Sequence, residues 1–276
     1  MTATIVDGKQ IARDIAQELG RQVDAMSKPP RIDIFVCAPN GAIKSFVARK
    51  RRTAESIGVE FIRHDLPDTA TTEDVQGEID TIKDKTNGIV IQLPMPEHID
   101  TETLLNNLPK NLDVDVLGDH TMQAFKDGEI QYEPPVAGAV REILERHNIN
   151  INDAKTVMIG KGKLVGMPTA IILSNMGANV FMIDKDTPKD IADAKILEAD
   201  IVVSGTGVSN LVTPERVKEG VVLLDAGTSG NKATLAGDID YACDEKATLF
   251  SRTPGGIGPI TVAILFRNLL RSTTSD

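Results

Sequence analysis

Lys50 and Phe46 stand four residues apart in a stretch with a helical pattern, so their side chains share one face. Lys50 is flanked by Arg49, Arg51 and Arg52, and an amine crowded by cations and partly desolvated gives up its proton more readily, which suits acid–base work. The ordinary alternative is a solvated basic face, to which a small polyanion would also be drawn. Gln92 closes the apolar run Gly88 to Pro94, at the carboxyl end of an expected buried strand, where parallel α/β sheets gather ligand groups.

Two glycine-rich turns add a second kind of chemistry. Pro254-Gly255-Gly256-Ile257-Gly258-Pro259-Ile260-Thr261 is too rich in Gly and Pro for the interior of a strand or helix, and such a backbone passes close to a ligand or makes a tight turn into a helix. Gly160-Lys161-Gly162-Lys163-Leu164-Val165-Gly166 lies between a strand pattern and a helix pattern, the context of a dinucleotide turn. Glycine there lets a pyrophosphate approach the backbone, and the following helix offers free amides. The spacing, Gly-x-Gly-x-x-x-Gly, is one residue longer than the usual fingerprint. Asp184 ends the next strand, where a carboxylate can accept from both ribose hydroxyls and repel a 2′-phosphate. That favours NAD over NADP, although Lys161 and Lys185 could neutralise a phosphate.

The elements that must hold these residues alternate. Helical patterns over Gly8 to Met26, Ala42 to Ile57, Thr72 to Lys85 and Thr101 to Leu108 are interleaved with strands at Ile32–Cys37, Gly58–Ile62 and Gly88–Pro94. Asn111 to Pro135 reads as irregular. A helix over Gly138 to Asn148 then opens a second series, with strands at Thr156–Ile159, Asn179–Ile183, Ile201–Ser204 and Val221–Leu224. Strands separated by helices call for parallel sheets with covered faces. The expected fold is α/β with two domains: residues 1–120 plus 259–276 as the substrate domain, 138–258 as a doubly wound Rossmann-type domain, and 121–137 connecting them, with the active site in the cleft between. A last helix from about Pro259 to Arg271 is expected to return to the first domain.

Composition excludes several classes. A net charge of -10 argues against a nucleic-acid surface, and 3% aromatics without tryptophan argue against a stacking platform for single strands. No apolar run approaches the roughly 18 to 20 residues of a membrane helix. The N-terminus does not read as a secretory signal, so a cytoplasmic protein is expected. Four histidines lack ligand spacing and two cysteines lack paired spacing; neither a metal site nor a disulfide is expected.

Taken together, the glycine turns, Gln92-Leu93-Pro94-Met95-Pro96, Asp113-Val114-Asp115 and the Phe46/Lys50 pair resemble the bifunctional methylenetetrahydrofolate dehydrogenase/cyclohydrolase family, in order and over nearly the whole chain. The resemblance implies hydride transfer from 5,10-methylenetetrahydrofolate to a nicotinamide cofactor, hydrolysis of the methenyl product to 10-formyltetrahydrofolate, a role in one-carbon metabolism, and a homodimer. It implies that Lys50 assists water attack on the methenyl carbon, that Gln92 orients lysine and folate, and that Asp115 binds the pterin. A carboxylate can accept two parallel N–H bonds from a pterin edge, while Asp113 beside it could cap a turn. The implied folate-contacting set adds Phe46, Leu93, Pro94, Pro254, Gly255, Gly256, Pro259 and Thr261. For the cofactor it adds Gly160, Lys161, Gly162, Asp184, Lys185, Thr206, Gly207 and Thr228.

The chain departs from the family pattern in places. It has Phe46 for tyrosine, Lys161-Gly162 for arginine-serine, and Val116 for the glycine after the aspartate. Loss of the phenol bears on hydrolysis, which needs proton management, more than on hydride transfer, which needs alignment. A dehydrogenase of similar architecture acting on another small substrate, or a folate or nucleotide sensor without turnover, remains an alternative at this level.

Overall fold

Every apolar run read as a strand lies in a parallel sheet. The computed structural model describes residues 3–229 and 236–273; the outermost residues of the expected 1–120 and 259–276 spans fall outside these. In chain order, β1 (Thr4–Ile5) leads to α1 (Gly8–Asp24), β2 (Arg31–Cys37), α2 (Gly41–Ile57), β3 (Glu60–Leu66), α3 (Thr72–Ile82), β4 (Gly88–Ile91), α4 (Thr101–Asn107), α5 (Asp119–Lys126) and α6 (Pro135–Arg146). The second series is β5 (Lys155–Ile159), α7 (Gly166–Asn175), β6 (Asn179–Ile183), α8 (Lys189–Glu198), β7 (Ile201–Ser204), β8 (Val221–Asp225), β9 (Ala247–Ser251) and α9 (Ile257–Thr273).

The chain forms two units, with boundaries inside α1 and α9. The three-stranded unit comprises Arg13–Pro135 and the chain from Val262 onward; its sheet order is β3-β2-β4. β2, the central strand, and β4 beside it are buried almost throughout, because a parallel sheet is covered on both faces. Phe35, Ile89 and Ile91 pack with Val75 and Ile79 of α3 and Leu104 of α4. Fully burying such side chains contributes about 1.5–3 kcal/mol each. Thr71 and Asp74 close a capping box that starts α3, satisfying amides the first turn leaves open.

The six-stranded unit comprises the chain up to Ala12 and Val136–Thr261, with order β1-β9-β8-β7-β5-β6, all parallel. Strand order reverses between β5 and β7, the switch point of a doubly wound sheet. Val157, Val202, Leu223 and Phe250 form the centre of its core.

Three expectations need correction. Residues 3–12 go with the nucleotide unit, because Thr4 and Ile5 pair with Leu249 and Phe250 of β9, and β1, a strand of two residues, does not stand out in sequence. The segment 121–135 belongs to the three-stranded unit: α5 buries Thr121 and Ala124 there, and Asn268 of α9 donates to Glu133 O at 2.7 Å and Val114 O at 2.8 Å. Residues 259–261, expected in the substrate domain, go with the six-stranded unit; Pro259 falls in the first turn of α9, where a missing N–H costs no intrahelical bond. From Val262 onward α9 joins the three-stranded unit, as expected of a returning helix.

Candidate active site

The polar cluster of the three-stranded unit sits at the carboxyl end of its sheet, where order reverses between β2 and β4. Gln92 follows β4 and is pinned by its own amide, which donates to Phe35 O at 2.9 Å. Its side-chain Nε2 donates to Leu93 O at 2.9 Å, which turns Oε1 toward α2. Lys50 Nζ reaches over from α2, donating to Gln92 Oε1 at 3.2 Å and lying 3.6 Å from Asp115 Oδ2. The lysine side chain is 11% exposed and that of Asp115 20%, so both keep a solvent-facing edge.

The polar partners of Lys50 are Gln92 and Asp115, and its flanking arginines have partners of their own. Arg49 lies over the Phe46 ring at 5.6 Å, Arg51 over Phe61 at 5.3 Å, and Arg52 Nε donates to Ala48 O at 3.3 Å. Consecutive helical residues point about 100° apart, so the run spreads over several faces and leaves Lys50 to Gln92 and Asp115. Phe46, one turn before Lys50, is 44% exposed. Leu93 packs on the core and Pro94 is exposed beside it, joined by a cis peptide bond.

Asp113 takes the capping role. Its buried carboxyl accepts from Leu117 N at 3.0 Å and Gly118 N at 2.8 Å, closing the loop that carries Asp115. Burial pushes this carboxyl up to about 6, only partly offset by those amides. Val116 occupies the left-handed region at φ 55 while fully buried, which explains why glycine suits the position.

The remaining site residues belong to the six-stranded unit. Gly160 follows β5 with φ 103, a conformation side chains rarely adopt. A Cβ on Gly166 would lie 2.0 Å from Gly160 O, so the turn can close onto α7 only with glycine there; a Cβ on Gly162 would meet nothing within 4 Å. That open, glycine-walled turn at a switch point fits a dinucleotide pyrophosphate. Thr206 and Gly207 follow β7 and Thr228 follows β8; Gly207, at φ 75, lies under Thr228 O.

Lys161 Nζ pairs with Asp184 Oδ2 at 2.7 Å, and Thr187 Oγ1 donates to Asp184 Oδ1 at 2.9 Å. These contacts, Lys161 first, hold the half-buried Asp184 carboxyl at about 2. Lys185 is exposed in the same turn. Gly255 and Gly256, which follow Pro254, pack on the start of α1: a Cβ on Gly8 would lie 1.8 Å from Gly256 O and 2.6 Å from Gly255 O. Asp225 and Asp238, both fully buried beside the cofactor loops, escape a reading of the sequence, although each has a glycine close by, Gly227 and Gly237. Among the described residues no cluster of His, Cys, Asp and Glu could hold a metal ion, both cysteines are free, and no helix is long and apolar enough to cross a membrane.

A Rossmann-type sheet with a glycine turn, and a second parallel sheet with a lysine–glutamine–aspartate cluster, define a two-unit α/β enzyme of the NAD(P)-binding class. Residues 6–115 match the catalytic domain of tetrahydrofolate dehydrogenase/cyclohydrolase, and residues 134–276 match its NAD(P)-binding domain. The chain belongs to the tetrahydrofolate dehydrogenase/cyclohydrolase family. It is 35% identical over 280 residues to the bifunctional protein FolD of Staphylococcus aureus, covering 98% of this chain and 96% of that protein. Among solved structures, the bifunctional FolD enzyme of Campylobacter jejuni superposes with a TM-score of 0.93 at 28% identity, covering 98% of each chain. The Trypanosoma brucei enzyme, solved with NADP and an inhibitor, gives 0.92 at 28% identity, covering 99% of this chain and 97% of that one.

Proposed function

We propose that this chain oxidises 5,10-methylenetetrahydrofolate to the 5,10-methenyl form and hydrolyses that to 10-formyltetrahydrofolate. The observation that carries the reading is Lys50 held between Gln92 Oε1 and Asp115 Oδ2 at the carboxyl end of a parallel sheet. Asp115 keeps an exposed edge that can accept the paired N–H groups of a pterin. Gln92 orients the lysine, whose Nζ assists water attack on the methenyl carbon and manages the proton. In this unit Phe46, Leu93 and Pro94 are the proposed folate-contacting residues.

When bound, an oxidised nicotinamide supplies the hydride acceptor. Gly160, Lys161 and Gly162 would hold its pyrophosphate, with Thr206, Gly207 and Thr228 alongside. Asp184 supports NAD over NADP, since its carboxylate stays charged and would oppose a 2′-phosphate. Lys161 tempers that preference by pairing with it, and Lys185 stands near. A related enzyme holds NADP, which makes the preference a property to measure in this chain. The family also supports a cytoplasmic homodimer, which sedimentation of the purified protein tests for assembly.

The deciding experiment incubates purified protein with methylenetetrahydrofolate and either NAD or NADP while methenyl absorbance is followed through formation and decay. Formation faster with NAD, then enzyme-dependent decay, is expected. No methenyl signal with either cofactor would defeat the folate reading, and faster turnover with NADP would defeat the role given to Asp184.

A further inference from the structure

Two buried carboxylates, Asp225 and Asp238, lie at the carboxyl edge of the six-stranded sheet, and the chemistry above uses neither. Asp225 ends β8 and accepts from Gly227 N at 3.0 Å, Asp238 N at 3.1 Å and Ile239 N at 3.0 Å. It therefore fixes the backbone of Asp238. In turn, Asp238 Oδ2 accepts from Ser204 Oγ at 2.7 Å, Thr206 N at 2.7 Å and Thr206 Oγ1 at 2.9 Å. Asp238 Oδ2 thus ties the start of the loop after β7 to the loop after β8, which Val212 N, donating to Asp238 O at 3.1 Å, joins further along.

That loop backs the glycine turn. Positions where a Cβ would stand on Gly160 lie 3.0 Å from Gly205 O and 3.3 Å from Thr206 Cγ2, while a Cβ on Gly205 would meet Val165 Cγ1 at 2.5 Å. Gly205 and Thr206 thus stand directly behind the turn, with no room for a side chain between them and Gly160. The arrangement is also costly: Asp238 Oδ1 is buried without a hydrogen-bond partner, and an orphaned buried acceptor forfeits its hydration without replacement. Gly227 and Gly237 leave no room for a side chain, since a Cβ on either would lie 1.9 Å from a carboxylate oxygen of Asp238 or Asp225. A carboxylate kept at such cost, with neighbours shaped around it, points to a role other than stability.

We infer that Asp238 is a positioning residue for the dinucleotide, holding Gly205 and Thr206 so that the Gly160–Gly166 turn keeps its pyrophosphate-binding shape. The inference rests on the reading that this unit binds a nicotinamide dinucleotide. Its test uses the two activities as internal controls, because methenyl hydrolysis consumes no dinucleotide. Asp238→Ala removes all three acceptor contacts and is expected to raise the Kd for NAD, measured by calorimetry, about tenfold or more while folate binding and methenyl hydrolysis stay within about twofold. Asp238→Asn keeps an oxygen facing Ser204 and Thr206 and is expected to restore affinity to within about threefold. Ser204→Ala, which removes one contact, tests the same point should the alanine variant fail to fold; an intermediate loss of about threefold is expected.

A Kd unchanged in both Ser204→Ala and Asp238→Ala overturns the proposal, as does a parallel loss of dinucleotide binding and hydrolysis, which marks a merely structural residue. Parent protein that binds NAD yet turns over no folate would sink the folate reading alone, because the Kd comparison and folded-state melting still judge Asp238.

Discussion

Lys50 shows how far a residue's neighbours in sequence can differ from its neighbours in space. The sequence surrounds it with three arginines, whereas the polar partners the fold gives it are Gln92 and Asp115. Its proposed work is proton management in hydrolysis, so Lys50→Met is expected to cut methenyl hydrolysis by about 100-fold or more while folate affinity changes little. Retained hydrolysis in a rapid-mixing assay would remove Lys50 from the mechanism. Phe46 presents an exposed ring one turn away but has no hydroxyl to pass a proton. Phe46→Tyr should therefore speed hydrolysis, by about threefold or more, and leave hydride transfer nearly unchanged. Equal rates in the two proteins would show that the phenol is not what this chain lacks.

At the scale of elements, helices and strands with long apolar patterns are legible in the amino-acid sequence, and those that depend on distant partners are not. α1 announces itself through Ile11, Ile15 and Leu19, all buried. β1 has two residues and exists because β9 offers it a parallel edge, a pairing across more than two hundred positions that no local pattern encodes. α5 begins where Gly118 and Asp113 shape its entry, in a stretch whose polar composition reads as irregular. The glycine turn is readable as a motif, but the division of labour within it is not: Gly160 and Gly166 are required by backbone contact, whereas Gly162 faces open space. Gly166→Ala is accordingly expected to cost about 1–3 kcal/mol of stability and to weaken dinucleotide binding beyond folate binding. Calorimetric titrations of both ligands against the variant check this, and an unshifted melting temperature would contradict it.

For the molecule as a whole, each unit contains a buried carboxyl shifted upward: Asp113 in one and Asp225 in the other, both to about 6, chiefly by burial. A carboxyl whose folded value exceeds its unfolded value favours the folded state fully below the unfolded value, near 4. That contribution is lost as pH rises through 6, since the folded protein then holds protons the unfolded chain has released. Groups held low, such as Asp33 and Asp200, act in the opposite direction but only as pH falls below about 4. Between pH 4 and 6 the two raised groups therefore make stability fall with rising pH, by up to about 1.4 kcal/mol per unit for each. Asp225→Asn should flatten that slope in denaturant titrations run at several pH values; parallel slopes in parent and variant would refute the assignment to Asp225.

The amino-acid sequence on its own determined the alternation of strands and helices, the two glycine turns and the identity of Lys50, Gln92 and Asp115 as candidates, because periodicity and backbone permissiveness are local properties. Only the tertiary structure decided which polar groups surround the lysine, that residues 3–12 join the nucleotide unit, and that Asp225 and Asp238 stitch the cofactor loops together. Those outcomes depend on burial and on hydrogen bonds between segments far apart in the chain, and neither is written in the spacing of neighbouring residues.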